Sequence, residues 1–162
     1  MMLNPRFCKL AGTTYCLMDK HQKQFFLYVK AEFDIHHHKD STLVLKTYIK
    51  ALKETFPEFS LESNIDFTGH QLILSEIKIL LGIGLILYED SQFHKAVSIF
   101  TILEQYLQDH SKLELEQYAL LYPAVTDLYA QCLFATKNYK KSALISPNRE
   151  LPVALNMANC NI

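Results

Sequence analysis

Apolar and polar positions alternate most cleanly between residues 93 and 107. Phe93, Ala96, Val97, Phe100, Leu103 and Leu107 recur at helical spacing, with Lys95, Ser98, Thr101 and Gln105 opposite. That pattern predicts an amphipathic helix with one face in a core. The preceding Glu89-Asp90-Ser91 reads as a tight turn, with Asp90 or Ser91 capping the helix. Further upstream, Thr68-Gly-His-Gln71 places a hydroxyl three residues ahead of a glutamine, the arrangement of a capping box, and predicts a helix from Thr68 to about Glu89. The apolar run within it, Leu72 to Tyr88, contains Glu76 and Lys78. Its uncharged part, Ile79 to Tyr88, is too short for the roughly 20 residues a bilayer demands, so it reads as a helix buried on two sides.

A second pair of helices follows. Ser111-Lys-Leu-Glu114 repeats the capping-box pattern and predicts a helix from Ser111 to about Ala135, which Pro123 either kinks or restarts. Lys137-Asn138 makes a turn, and Tyr139 opens a short helix ending at Ser146-Pro147-Asn148. Before residue 68 the pattern predicts helices near Asn4–Leu17, Gln22–Phe33 and Asp40–Thr55, then an irregular linker, Phe56–Phe67. Phe25, Phe26, Val29 and Phe33 form a stripe at helical spacing, expected in the core. Were covering helices missing at the ends of the repeat array, this stripe would be left exposed and would favour pairing with a second copy.

The two pairs share a spacing. Gly84, Phe93, Ala96 and Phe100 are nine, three and four residues apart, and so are Ala130, Tyr139, Ser142 and Ser146. In a helical hairpin, small residues at 84 and 130 allow close approach, aromatic residues at 93 and 139 fill the mouth, and small residues at 96 and 142 accept the crossing helix. The chain therefore reads as all-α, a single helical-repeat domain over residues 1–162. Helices in residues 1–67 precede hairpins in 68–109 and 111–146 and an irregular tail, 147–162.

Composition narrows the function. Sixteen basic and seventeen acidic side chains give a net charge of −1, with no basic stretch of the kind that follows a nucleic-acid backbone. The N-terminus lacks an apolar secretory core, and Cys8, Cys16, Cys132 and Cys160 form no CxxC pair, so the chain reads as cytoplasmic with reduced cysteines. No GxSxG, P-loop, GxGxxG or HExxH pattern is present, and no catalytic residue or cofactor is expected. Cys16 with His21 fits a buried thiol beside an exposed imidazole, and Glu58 with Glu62 fits a solvated surface. His36-His37-His38 are consecutive and cannot all face one ion, so they read as a polar loop and no metal is expected.

The repeat spacing resembles the tetratricopeptide consensus, although its period is 46 residues where about 34 is usual, and Ser146 stands where a bulky residue closes the motif. Three stretches resemble one group in particular: Ala51-Leu-Lys-Glu-Thr-Phe-Pro-Glu-Phe59; Glu76 to Phe100; and Leu121-Tyr-Pro123 with Asp127-Leu128 and Asn138-Tyr139. Together they are similar to the C-terminal sensor domains of Xre-type helix-turn-helix regulators of Gram-positive bacteria, the group that includes peptide-pheromone sensors. The likeness spans about Gln22 to Ile145. It implies a right-handed superhelix of antiparallel hairpins that senses a ligand or peptide and forms a homodimer. Family members begin with a DNA-binding domain and continue through further helix pairs. This chain looks like a sensor domain cut at both ends, and direct nucleic-acid binding is not expected of it.

A tetratricopeptide superhelix binds on its concave side, along the first helix of each hairpin. In the register above, that side carries Lys78, Leu81, Leu85 and Tyr88, then Asp127, Gln131 and Phe134. Polar groups between aromatic walls suit an extended peptide, whose amides need donors and acceptors. A stand-alone adaptor docking a protein segment would use the same groove, and a remnant that merely folds and dimerises would need none. Neither alternative calls for a membrane.

Overall fold

The computed structural model describes residues 15, 18–37, 40–62, 67, 71–108 and 115–146, and among these the chain is all-helical, with no strand. Six helices follow one another among the described residues: α1 (Lys20–His36), α2 (Ser41–Thr55), α3 (Leu74–Glu89), α4 (Phe93–Gln108), α5 (Leu115–Ala135) and α6 (Tyr139–Ile145). The expected helix near Asn4–Leu17, the Ser111 capping box and the tail 147–162 lie outside the described residues, apart from Tyr15. The chain forms two compact units that divide within α3, after Ile79; the sequence pattern treats residues 1–162 as one helical-repeat domain.

In the first unit, α1 opens with a complete capping box. The Asp19 carboxylate accepts the Gln22 N–H at 2.9 Å, and the Gln22 side chain accepts the Asp19 N–H at 3.1 Å. Asp40 caps α2 through the Thr42 N–H at 2.9 Å. The two helices pack as an antiparallel pair, with Tyr48 and Ala51 of α2 and Leu27 and Ala31 of α1 in the core. The segment after α2 is irregular where described, and it buries Phe59.

The Phe25, Phe26, Val29 and Phe33 stripe is not core: all four side chains are exposed, and α1 buries Gln24, Leu27, Ala31 and Asp34 instead. The run Phe25-Phe26-Leu27-Tyr28-Val29 is apolar all round, so its periodicity supports two faces equally well. A polar network decides between them. The Gln24 amide donates to Thr55 Oγ1 at 2.5 Å, and the Thr55 hydroxyl donates to Glu76 Oε1 at 2.5 Å. The Ser75 hydroxyl donates to Gln24 Oε1 at 2.9 Å, closing the set within the first unit. Buried polar groups must be hydrogen-bonded, and Gln24 finds its partners only by facing inward.

Helix α3 starts at Leu74 rather than Thr68. Gln71 to Ile73 are not helical, and the Glu76 carboxylate accepts the Ile73 N–H at 3.0 Å. Glu76 thus stands at the third helical position and satisfies the first backbone donor, the role the pattern gave to Gln71.

In the second unit, the core is Leu80, Ile83 and Leu87 of α3, Ile99, Phe100 and Leu103 of α4, and Val125, Tyr129 and Leu133 of α5. Ile99 is buried while Val97 is only half-buried, so the inward face of α4 is rotated slightly from the predicted one. Thr101, expected to face solvent, is hydrogen-bonded to the Tyr129 hydroxyl at 2.7 Å. Helix α5 runs unbroken through Pro123, whose missing N–H leaves the Ala119 carbonyl without its helical donor. Ala119 is exposed, so water can fill that role.

Candidate functional site

The turns that close the two hairpins of the second unit have the same geometry. After α3, the Gln92 N–H donates to the Leu87 carbonyl at 2.8 Å, and the Ser91 N–H to Tyr88 at 3.0 Å. After α5, the Asn138 N–H donates to Leu133 at 2.8 Å, and the Lys137 N–H to Phe134 at 3.0 Å. Both are Schellman motifs, and both place a non-glycine residue in the left-handed region, Ser91 at φ 59° and Lys137 at φ 63°. Ser91 therefore ends α3 rather than capping α4; the Gln92 carbonyl accepts the first helical N–H, from Ala96.

Identical turns repeat the contacts around them. Tyr88 meets Phe93 edge-on at 5.7 Å, and Phe134 meets Tyr139 edge-on at 5.1 Å. Tyr88 and Phe134 are 46 residues apart, as are Phe93 and Tyr139. The small-residue positions differ in how they achieve close approach. Gly84 lies against the Phe100 ring, whereas in the second hairpin the buried Ser142 hydroxyl donates to the Ala130 carbonyl at 2.8 Å.

This arrangement opens a cleft of about 360 Å³, within the usual size range of small-ligand sites. Tyr88 and Phe93 line it from the first hairpin; Asp127, Ala130, Gln131, Phe134 and Ala135 line it from α5, and Ser142 and Ser146 from the end of the second hairpin. A chain of hydrogen bonds crosses the cleft. The Tyr88 hydroxyl donates to Gln131 Oε1 at 2.7 Å, and the Gln131 amide donates to Asp127 Oδ2 at 2.9 Å. Gln131 is thereby held in one orientation, with one N–H and one carboxamide lone pair still to offer.

Of the seven groove residues expected from the sequence, the structure brings four together: Tyr88, Asp127, Gln131 and Phe134. Lys78, Leu81 and Leu85 do not line this cleft; Lys78 and Leu85 are exposed and Leu81 is half-buried. Five further lining residues were not assigned to the groove. Phe93, Ala130, Ser142 and Ser146 carry the repeat spacing itself, so the residues that build the hairpin mouth also wall the cleft.

The remaining chemistry-bearing side chains among the described residues are not gathered into a second cluster. Among the described residues, no group of three His, Cys, Asp or Glu side chains is placed to hold a metal ion. His36 and His37 are exposed, the His37 ring stacking on Phe33 at 3.9 Å. Cys132 is buried and its thiol is pushed up to about 11 by burial, which suppresses the reactive thiolate. Glu58 and Glu62 are exposed, and Cys16 lies outside the described residues. No described helix is long and apolar enough to cross a membrane. Compared with protein-family models, curated proteins and solved structures, the chain matches none.

Proposed function

We propose that this chain is the ligand-sensing domain of a transcriptional regulator, that it takes a peptide segment in the cleft of its second unit, and that it acts by binding and conformational change without catalysis. One observation carries this reading. Six of the nine residues lining the cleft lie on the first helices of two successive hairpins, whose turns and aromatic contacts repeat at a fixed interval. Tetratricopeptide-like arrays present their binding surface from those helices. The Tyr88–Gln131–Asp127 chain supplies oriented donors and acceptors for peptide amides, and Phe134, 50% exposed, supplies apolar surface. The likeness of Glu76–Phe100 and of the segments from Leu121 to Tyr139 to regulator sensor domains supplies the regulatory context. A bound peptide that prefers one arrangement of the hairpins would shift the domain by its differential affinity, and an attached reporter domain would read that shift.

Self-association belongs to the same proposal. Phe25, Val29 and Phe33 are four residues apart and exposed, so two copies of α1 meeting antiparallel about Val29 would set Phe25 against Phe33 twice. A two-fold interface needs that self-complementarity.

Native mass spectrometry of the purified chain, beside the same sample denatured, tests the sensing role. A copurified mass of peptide size that is lost in the Asp127→Ala/Gln131→Ala double variant, with helicity unchanged by circular dichroism, is expected. A peptide that stays bound to the double variant would place the site elsewhere and overturn this assignment.

A further inference from the structure

The cleft holds charge of one sign. Asp127 is the only lysine, arginine, histidine, aspartate or glutamate among the described residues that line it. Its Oδ2 accepts the Gln131 amide, and its Oδ1 has no hydrogen-bond partner among the described residues. The lysines nearest in sequence do not reach it: Lys137, Lys140 and Lys141 are absent from the lining, and the Lys141 ammonium sits 5.1 Å from the Tyr129 ring centroid.

We propose that the cleft recognises a basic side chain, lysine or arginine, of the peptide it binds; this rests on the peptide-binding reading above. Asp127 is exposed in the free chain; a neutral occupant covering it could return at most an amide hydrogen bond and would leave its charge unpaired, which is costly once water is displaced. A cationic occupant replaces that water with an ion pair. The walls fit the rest of such a side chain. Phe93, Ala130 and Phe134 offer apolar surface to an aliphatic stem, and three aromatic side chains, Tyr88, Phe93 and Phe134, are in the lining, a residue type that attracts a cationic head. Metal ions are a poorer match, because one carboxylate among aromatic walls offers too few oxygen ligands.

Affinity-selection mass spectrometry of the full chain against four pools of end-capped hexapeptides tests this. The pools are identical except for a central lysine, arginine, norleucine or glutamate. The lysine and arginine pools should be enriched by ~tenfold over norleucine, the scale of a partly desolvated cation–π and charge pairing. Asp127→Asn, which keeps an acceptor for Gln131, should reduce that enrichment to the norleucine level. Equal enrichment of the norleucine pool, or preference for glutamate, would overturn the cationic assignment while leaving the peptide cleft standing. Absence of enrichment in every pool would overturn both.

Discussion

Gly84 and Phe100 meet so closely that a Cβ added at Gly84 would lie 2.8 Å from both Cε1 and Cζ of the Phe100 ring. The ring is fully buried and cannot swing aside, so the contact sets how near α3 and α4 approach. That approach in turn positions Tyr88 and Phe93 at the mouth of the cleft.

Gly84→Ala is therefore expected to destabilise the chain despite alanine's better helix propensity. Propensity favours the alanine by about 1 kcal/mol, while forcing a methyl into a packed contact costs about 1–3 kcal/mol. A net loss of ~1 kcal/mol in urea denaturation is the expected result. The same substitution made on a Phe100→Leu background should be neutral or stabilising, because the clashing atoms are gone.

Thr55 joins Gln24 to Glu76 in the buried network of the first unit, accepting from one and donating to the other. Thr55→Val keeps the shape and removes the hydroxyl. It should cost about 2–3 kcal/mol, since it withdraws a hydrogen bond from a buried carboxylate and leaves the Gln24 amide without its acceptor. Thr55→Ser should recover most of the loss. Equal denaturation midpoints for the valine and serine variants would show that the network contributes packing alone.

The exposed stripe on α1 predicts an oligomer sensitive to charge. Sedimentation velocity should show a dimer for the wild-type chain and a monomer for Phe25→Glu/Phe33→Glu, with circular dichroism unchanged because neither ring is in the core. A wild-type monomer at every loading concentration would remove self-association from the proposed function.

Stability should fall on the alkaline side. Burial, then the hydrogen bond from the Tyr48 hydroxyl to Glu32 Oε1 at 2.6 Å, holds the Tyr48 phenol well above the ordinary tyrosine range. Burial moves Cys132 from 9.0 to about 11. Below their ordinary values both groups are protonated in the folded and unfolded chain alike, and stability is complete. From pH 9 for Cys132, and from 10 for Tyr48, the unfolded chain releases protons that the folded chain retains. The unfolded state then binds fewer protons, so stability declines as pH rises. Tyr48→Phe should lose about 1–2 kcal/mol at neutral pH with the lost hydrogen bond, yet show a shallower decline above pH 10, where the unfolded Tyr48 phenol ionises.

The repeat was legible because it rests on residue size at fixed intervals. Gly84 and Ala130, and Phe93 and Tyr139, could be paired from spacing alone, and the hydrogen-bonded turns at Ser91 and Lys137 bear out that pairing. The turn type was not legible, since neither turn has the glycine that marks a left-handed residue. Four of the groove residues could be placed because helical periodicity sets which side chains share a face with Tyr88 or with Asp127. Lys78, Leu81 and Leu85 share a face with Tyr88 as well, but the cleft gathers only the last turn of α3.

By itself, the sequence determined the helices and the two equivalent hairpins, because propensity, capping and periodicity act between residues a few positions apart. Only the tertiary structure decided which side of α1 turns inward. Its apolar run is ambiguous locally, and the choice depends on Thr55 and Ser75, which meet Gln24 from 31 and 51 residues away. The tertiary structure also decided where α3 begins. There the Glu76 carboxylate holds both the Thr55 hydroxyl, 21 residues distant, and the Ile73 N–H beside it. Contacts of that range leave no periodic trace in the chain, because each depends on two partners whose spacing is free to vary.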